Sequence, residues 1–205
     1  MSIALPATSP LPTAVPFVRD LARHADRVAL VADGTRVTYT ELARRVERRA
    51  ADLGSGRRLV MVAGANHLEV LVAYLAVLHA GHVAWLVPDI SSAADLTARF
   101  DPDVVVTADG AGVAIDHRSD DPVHDLHPEL ALLLGTSGST GAPRLVRLSH
   151  TNLQANAASI ATYLGIAPGE RAATSLPLHY CYGLSVAHSH LLAGATLLLT
   201  ERSGA

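Results

Sequence analysis

The most constraining feature of the sequence is a series of short, almost wholly apolar segments that alternate with segments of helical length. RLVMVAG (58–64), HVAWLV (82–87) and ELALLLG (129–135) lack polar alternation, whereas LEVLVAYLAVLHA (68–80) is long enough for about three helical turns. Strands that are apolar on both faces must be covered on both sides, and intervening helices allow parallel pairing. The pattern predicts an α/β fold: a three-layer sandwich with a largely parallel sheet flanked by helices.

Proline and glycine place the boundaries of this region. Residues 1–16 contain four prolines and are expected to form an irregular lead-in, followed by one α/β region over 17–205. VALVAD (28–33) and RVTY (36–39) are predicted to form a hairpin that turns at Asp33-Gly34.

Several helix starts and one connector are also predicted. Thr38 with Glu41, and Asn66 with Glu69, have the spacing of residues that cap helix N-termini. A late helix is expected across 184–192. The polar stretch 116–128 is interpreted as a solvated connector.

Composition excludes several classes of function. The chain has 205 residues, 17% of them charged, with a net charge of −3 and a pI near 6.4, which argues against binding to nucleic acid or to anionic membranes. A single cysteine, the absence of a signal peptide and the absence of a long apolar run favour a cytoplasmic location. All 16 basic residues are arginine, which excludes Schiff-base chemistry on a lysine.

The segment after the strand 129–135 is the most informative one for chemistry. Glycines at 138 and 141 allow consecutive N–H groups to converge, and four hydroxyl side chains add donors around them. Arg144 follows and offers a fork of donors to a phosphate. The candidate phosphate-binding residues are Thr136, Ser137, Gly138, Ser139, Thr140, Gly141 and Arg144. From the residues alone, a flexible Ser/Gly turn remains the alternative.

Three sharper motifs fail on spacing. The common nucleotide loop requires a lysine and then Ser or Thr after its last glycine, whereas Ala142 and Pro143 follow Gly141. A dinucleotide fingerprint must open a helix, and Pro143 leads into an apolar strand instead. Neither Ser137 nor Ser139 has a glycine two residues away on both sides, so there is no nucleophile elbow.

TSGSTGAPR (136–144) resembles the signature phosphate loop of the adenylate-forming enzymes, which include acyl-CoA synthetases, peptide-synthetase adenylation domains and luciferases. Three further motifs of that superfamily occur in the expected order. VTYTEL (37–42) resembles the first, LAVLHAGHVAWLVP (75–88) the second, and LPLHYCYGLSV (176–186) the motif that walls the acyl pocket.

The resemblance implies an ATP-dependent ligase with a two-step reaction. A carboxylic acid and ATP would give an acyl-adenylate and pyrophosphate, and a thiol of CoA or of a carrier protein would then displace AMP. The loop and Arg144 would hold the ATP phosphates, and Mg²⁺ is expected in the complete enzyme, with its principal ligand outside this chain. His179, Tyr180, Tyr182 and Gly183 would border the acyl pocket.

The chain also departs from the family pattern. Arg144 stands where relatives usually have lysine, and Tyr180 aligns where many have histidine. The sequence is less than half the family's usual length and lacks the adenylation lysine, so we expect the isolated chain to be inactive. We further expect self-association or a partner chain to cover an exposed face. The alternative interpretation is a non-catalytic fragment or split half that acts as a scaffold or interaction module.

The remaining clusters are interpreted as structural. The acidic and histidine residues over 116–127 match no standard metal spacing, so no metal ligand is assigned. His188 and His190 are expected to pack or cap, and Trp85 to lie in the core. The arginines over 44–49 are expected on a solvated helix face, and Cys181 as a small wall residue of the acyl pocket.

Overall fold

The computed structural model describes residues 14–109, 112–135 and 145–200. Its helices are α1 (Pro16–Arg19), α2 (Tyr39–Ala51), α3 (Leu68–His79), α4 (Ile90–Phe100), α5 (His150–Leu164) and α6 (Cys181–Ala193), with a 3₁₀ turn at Leu21–His24. The strands are β1 (Val28–Ala32), β2 (Thr35–Thr38), β3 (Leu59–Ala63), β4 (Val83–Val87), β5 (Val104–Asp109), β6 (Gly112–His117), β7 (Leu130–Gly135), β8 (Leu145–Ser149), β9 (Arg171–Ala173) and β10 (Thr196–Leu199).

The larger sheet has the strand order β6-β5-β3-β4-β7-β8. Its four inner strands are parallel, whereas β6 and β8 pair antiparallel at the two edges. Both faces are covered, because Val60 and Val62 of β3 belong to the main core with α3. Met61 belongs instead to a second core that includes Ala93 of α4.

Trp85 shows how the second core is built. Its side chain is buried, and its ring packs edge-on against Phe100 at the end of α4, with 5.1 Å between ring centroids. The prediction that Trp85 is a core residue is confirmed.

The smaller sheet has the order β2-β1-β10-β9, in which β1, β10 and β9 are parallel. Strands β1 and β2 form the predicted hairpin. Asp33 and Gly34 have φ values of 49° and 77°, the left-handed pair that a tight two-residue hairpin turn requires. Helix α3 contacts β3, β4 and β5 of the larger sheet as well as α1 and α2. Its residues Val70–Leu78 are all buried, which explains its uniformly apolar sequence.

The predicted α/β architecture is confirmed, and the structure adds two features to it. The strands divide between two sheets, and α3 packs against the larger one and against α1 and α2. In addition, residues 112–117 form β6, although Asp116 and His117 were assigned to a solvated connector. That strand alternates half-exposed and exposed residues, since an edge strand buries little of its surface.

Most residues in the rest of the connector are exposed, as predicted, but its backbone is bonded to charged side chains of the fold. The guanidinium of Arg58 donates to the carbonyl oxygens of Ser119 and Asp120 at 2.8 and 2.5 Å. The buried carboxylate of Asp103 accepts from the amides of Leu59 and Val123, both at 2.7 Å. Charged groups thereby satisfy the backbone of a segment that has no regular secondary structure of its own.

The helix-capping predictions have mixed outcomes. Thr38 caps α2 as predicted, since its hydroxyl oxygen accepts from the Glu41 amide at 3.2 Å. The prediction that Asn66 caps α3 is wrong: the N-cap residue is His67, which makes no side-chain capping bond. Helix α6 begins at Cys181, three residues before the predicted start. Within the described residues, no helix combines the length and apolar character needed to cross a membrane.

Candidate nucleotide and acyl site

The predicted phosphate loop joins β7 to β8. Thr136, Ser137, Gly138, Ser139, Thr140, Gly141 and Arg144 lie outside the described residues, but the residues that flank them are described. Gly135 and Leu145 are paired at the base of an antiparallel hairpin, so the loop leaves the sheet and returns to it at one point.

The position of that hairpin in the sheet is the relevant geometry. Strand β7 runs parallel to β4, and β4 and β5 run parallel to β3. The loop after Gly135 therefore starts at the edge of the sheet where the carboxyl ends of these strands meet. In open α/β sheets this edge is the usual place for ligands.

A second loop at the site leads from β9 into α6, and Asn66 holds it. The Asn66 side-chain NH₂ donates to the carbonyl oxygens of Thr174 and Leu176 at 2.8 and 2.9 Å. Its side-chain oxygen accepts from the Leu178 amide at 2.8 Å. Asn66 is buried, so these three bonds replace water for both partners. This replaces the capping role predicted for it.

Gly183 contacts the same loop from within α6. A Cβ atom at this position would overlap the carbonyl oxygen of Pro177 and lie 2.7 Å from that of Leu176. Only glycine therefore permits this approach of helix and loop. Gly183, which was predicted to border the acyl pocket, therefore allows α6 to pack closely against this loop.

The three aromatic side chains of the predicted acyl pocket differ in exposure. Tyr180 and Tyr182 are 51% and 62% exposed, at the start of α6. His179 is half-buried; burial lowers its pKa, and the nearby Asp89 carboxylate opposes that shift.

A cavity of about 430 Å³ lies between α5, α6 and the hairpin β7–β8. Its lining consists of five leucines and five polar residues: Leu132, Leu134, Leu148, Leu153, Leu184, Asn152, Asn156, Cys181, Ser185 and His188. The volume is within the range of small-molecule sites. Because β7 contributes Leu132 and Leu134 to the lining and ends at Gly135, the cavity lies next to the start of the predicted phosphate loop.

His188 lines the cavity and connects it to α3. Its Nε2 atom and the Tyr74 hydroxyl are 2.8 Å apart in a buried hydrogen bond, and the two rings stack with 5.7 Å between centroids. Burial lowers the pKa of His188 to about 3, so the imidazole is neutral at physiological pH. The prediction that His188 packs is confirmed.

One residue that was predicted to form a wall of the acyl pocket, Cys181, is among those that line this cavity. Tyr180 and Tyr182 flank Cys181 in the chain. Asn152, Asn156 and Ser185 were not identified from the sequence. Residues 181, 184, 185 and 188 have the spacing of one helix face. Because the helix was predicted to begin at residue 184, Cys181 was not expected on that face.

The remaining candidate sites have structural contacts. Arg45 pairs with Glu41 at 2.6 Å, and Arg49 with Glu69 at 3.4 Å, on the surface formed by α2 and α3. In the connector, Arg118 lies 3.7 Å from Asp116, and His124 bonds to the Asp101 carbonyl oxygen at 2.7 Å. Across 14–109, 112–135 and 145–200, no three His, Cys, Asp or Glu side chains converge on a common point.

The chain matches a known protein family and is similar in sequence to proteins of known function. A family model described as AMP-binding enzyme matches residues 17–101 and 95–205. A feruloyl-CoA synthase from an Amycolatopsis species is 33% identical over 193 residues, covering 81% of this chain and 39% of that protein. The non-ribosomal peptide synthetase CmlP from Streptomyces venezuelae is 30% identical, covering 89% of this chain and 22% of that protein.

Solved structures show the same fold. ATP-bound MatB from Rhodopseudomonas palustris has a TM-score of 0.75 at 21% identity, covering 90% of this chain and 45% of that one. The O-succinylbenzoate coenzyme A synthetase MenE from Bacillus subtilis, in complex with AMP, has a TM-score of 0.74 at 23% identity, covering 91% of this chain and 55% of that one. The chain spans at most about two fifths of the length of these curated relatives.

Proposed function

The chain belongs to the AMP-binding enzyme family, and from this premise we propose that it is the N-terminal part of an ATP-dependent acid–thiol ligase. Its relatives by sequence include a CoA ligase and a peptide synthetase. The proposed reaction joins a carboxylic acid to ATP and then passes the acyl group to a thiol, of CoA or of a carrier protein.

The single observation that carries the proposal is the placement of Gly135 and Leu145, the two residues that flank TSGSTGAPR (136–144). The strand before it and the strand after it are paired at Gly135 and Leu145, at the carboxyl edge of the parallel strands. A loop rich in glycine and hydroxyl groups at that edge is suited to an oligophosphate, which accepts many hydrogen bonds.

Within the proposal, Thr136, Ser137, Gly138, Ser139, Thr140 and Gly141 bind the β- and γ-phosphates. Arg144 supplies the positive charge that a chain without lysine must take from arginine. Mg²⁺ is expected to accompany ATP. The described residues do not fit a Mg²⁺ site, because no acidic cluster converges among them, and we assign no Mg²⁺ ligand to them.

The acyl group is proposed to occupy the cavity between α5, α6 and the hairpin β7–β8. None of His179, Tyr180, Tyr182 and Gly183 is among the described residues that line the cavity; they are proposed to border its entrance, next to Cys181 in the chain. Asn66 holds the loop that carries His179 in place. This places the carboxylate of the acid near the phosphate loop, where positioning accelerates the reaction.

The chemistry has two displacements. A carboxylate oxygen attacks the α-phosphorus of ATP, the bond to the β-phosphate oxygen breaks, and pyrophosphate leaves. A thiolate then attacks the acyl carbonyl carbon, and AMP leaves. The residues of this chain hold and orient ATP and the acid through hydrogen bonds and charge, and they form no covalent bond to either. We propose that this takes place in the cytoplasm, with a partner chain or a second copy covering an exposed face.

The test is calorimetric titration of the 205-residue chain with ATP and with pyrophosphate. Arg144→Ala is expected to weaken both affinities about tenfold or more, the effect of one lost charge-assisted bond. Arg147→Ala is the matched control, because Arg147 is exposed on β8 and lies just beyond the loop. Equal binding by both variants, or no binding by the parent chain, would favour the scaffold interpretation instead.

A further inference from the structure

We propose that the acyl cavity selects acids whose tail is uncharged, apolar for most of its surface and able to accept one or two hydrogen bonds. Acids with a second charge on the tail, such as dicarboxylates, sulfonates and amino acids, are excluded. This inference rests on the proposed function, because it takes the cavity between α5, α6 and β7–β8 to be the acyl subsite.

The first argument is the chemistry of the lining. Five of the ten lining residues are leucines, from β7, β8, α5 and α6. The other five are Asn152, Asn156, Cys181, Ser185 and His188, so no arginine, aspartate or glutamate is found among the described residues that line it. A charged tail would be desolvated there without a counter-charge, which is unfavourable.

The second argument is that His188 does not supply a charge either. Its Nε2 atom is hydrogen-bonded to the buried Tyr74 hydroxyl at 2.8 Å, and Phe17 packs against its ring with 5.0 Å between centroids. His188 is buried, and its burial between the rings of Phe17 and Tyr74 favours the neutral imidazole.

The third argument concerns Arg147, a charged residue of β8. It directly precedes Leu148, which lines the cavity. Successive side chains of a strand point to opposite faces. Since Leu148 lines the acyl cavity, Arg147 is on the other face of the hairpin, where it borders a separate depression with Trp85 and Leu145. Arg147 shares a further depression with the lining residues Leu148 and Asn152, but it is not itself among the described residues that line the acyl cavity.

The rim of the cavity provides neutral hydrogen-bonding groups. The Ser185 hydroxyl donates to the Asn156 side-chain oxygen at 3.3 Å, and the Asn152 side-chain oxygen accepts from the Ser149 amide at 3.0 Å. Both asparagine oxygens are thus occupied, and the described residues provide no acceptor for either side-chain NH₂ group. These groups suit a hydroxyl, ether or carbonyl oxygen on the tail.

The volume of the cavity limits the size of the tail that it can hold. About 430 Å³ accommodates a substituted aromatic ring or a medium-length acyl chain, since small-molecule sites range from about 300 to 1,000 Å³. We therefore choose ferulate as the neutral-tail probe. Succinate and sulfoacetate are the charged-tail probes.

Cys181 provides a direct readout of occupancy. It is exposed, lines the cavity and is the sole cysteine of the sequence. The rate at which a maleimide labels the folded 205-residue chain, with ATP present, is measured with each acid at equal concentration. We expect ferulate to slow labelling at least fivefold, and succinate and sulfoacetate to leave the rate unchanged.

A charge-introducing variant sharpens the test. Ser185→Arg places a cation in the cavity and should make succinate and sulfoacetate protective while weakening protection by ferulate. Ser159→Arg is the matched control, because Ser159 is exposed on α5 and is not a lining residue; it should behave as the parent chain. Circular dichroism verifies that both variants are folded.

The outcomes separate the inference from the function on which it rests. Equal protection by charged-tail and neutral-tail acids would overturn the selectivity and leave the ligase proposal standing. ATP binding without protection by any acid would overturn the location of the acyl subsite, and with it the inference. Selective protection by ferulate without any ATP binding would support the selectivity of the cavity while overturning the ligase proposal.

Discussion

The side-chain oxygen of Asn66 accepts a hydrogen bond from the backbone amide of Leu178 at 2.8 Å, across 112 residues of sequence. This bond joins the turn between β3 and α3 to the loop that precedes α6. Two further bonds from the same side chain, to the carbonyl oxygens of Thr174 and Leu176, complete the connection. One buried amide thus sets the position of the loop that carries His179 relative to the larger sheet.

Asn66→Ala should therefore destabilise the protein by about 3 kcal/mol, because it leaves buried backbone groups without partners at roughly 1–3 kcal/mol each. Urea denaturation measures the change in the free energy of unfolding. Asn156→Ala is the control: that amide is exposed and accepts a single described bond, so its loss should cost under about 1 kcal/mol. Equal effects of the two variants would contradict the role assigned to Asn66.

Gly183→Ala should destabilise the fold by more than about 2 kcal/mol, since the added methyl group would overlap backbone atoms that cannot move as side chains do. It should also change the rate of maleimide labelling at Cys181, because the start of α6 would have to shift. Gly169→Ala introduces the same methyl group where nothing lies within 4 Å. If both substitutions changed the free energy of unfolding by the same small amount, the close contact described at Gly183 would be contradicted.

Acid should destabilise the protein through His188. Burial lowers its pKa to about 3 from an ordinary value of 6.5. Between these pH values the unfolded chain binds a proton that the folded chain does not, so the free energy of unfolding falls as the pH falls. The slope from this one group is at most about 1.4 kcal/mol per pH unit.

His188→Gln keeps a hydrogen-bond acceptor for Tyr74 and removes this titration. From pH 7 to pH 5 the parent chain should lose about 2 kcal/mol more stability than the variant does, as measured by urea denaturation at each pH. His117→Gln makes the same substitution at an exposed imidazole and serves as the matched control. If the free energy of unfolding changed with pH to the same extent in the parent chain and in His188→Gln, His188 would not be the origin of the acid sensitivity.

On the proposed function, Arg144 should matter for the adenylation step in a complete enzyme that contains this segment. Removing one charge-assisted contact of about 1.5–3 kcal/mol predicts a loss of roughly 10- to 150-fold in the adenylation step for Arg144→Ala. Pyrophosphate exchange into ATP, at saturating acid with ATP varied, measures it. Arg144→Lys should recover much of the rate if charge suffices, and little if the bidentate fork is required. Exchange by Arg144→Ala at the parent rate would show that this arginine does not contact the phosphates.

The 205-residue chain by itself should not exchange pyrophosphate into ATP. It contains no lysine, and the resemblance to adenylate-forming enzymes implies a lysine in the adenylation step. The assay combines the pure chain with ATP, radiolabelled pyrophosphate and ferulate. Exchange above the background of a heat-denatured sample would mean that an arginine or another group performs this step.

The sequence by itself determined those features that depend on local pattern. Apolar strands without alternation predicted sheets covered on both faces, Asp33-Gly34 predicted the hairpin, and TSGSTGAPR (136–144) identified the family. Each of these can be recognised within a short segment, because backbone conformation at a turn or loop depends on the residues in it.

Only the tertiary structure decided the features that depend on contacts between distant segments. Asn66 has the spacing of a capping residue, yet its amide bonds to a loop 108 to 112 residues away. The cavity between α5, α6 and the hairpin β7–β8 likewise combines side chains from elements that are distant in sequence. A buried polar group takes whichever partners the packed fold brings to it, and a cavity exists only between elements that the chain itself does not make adjacent.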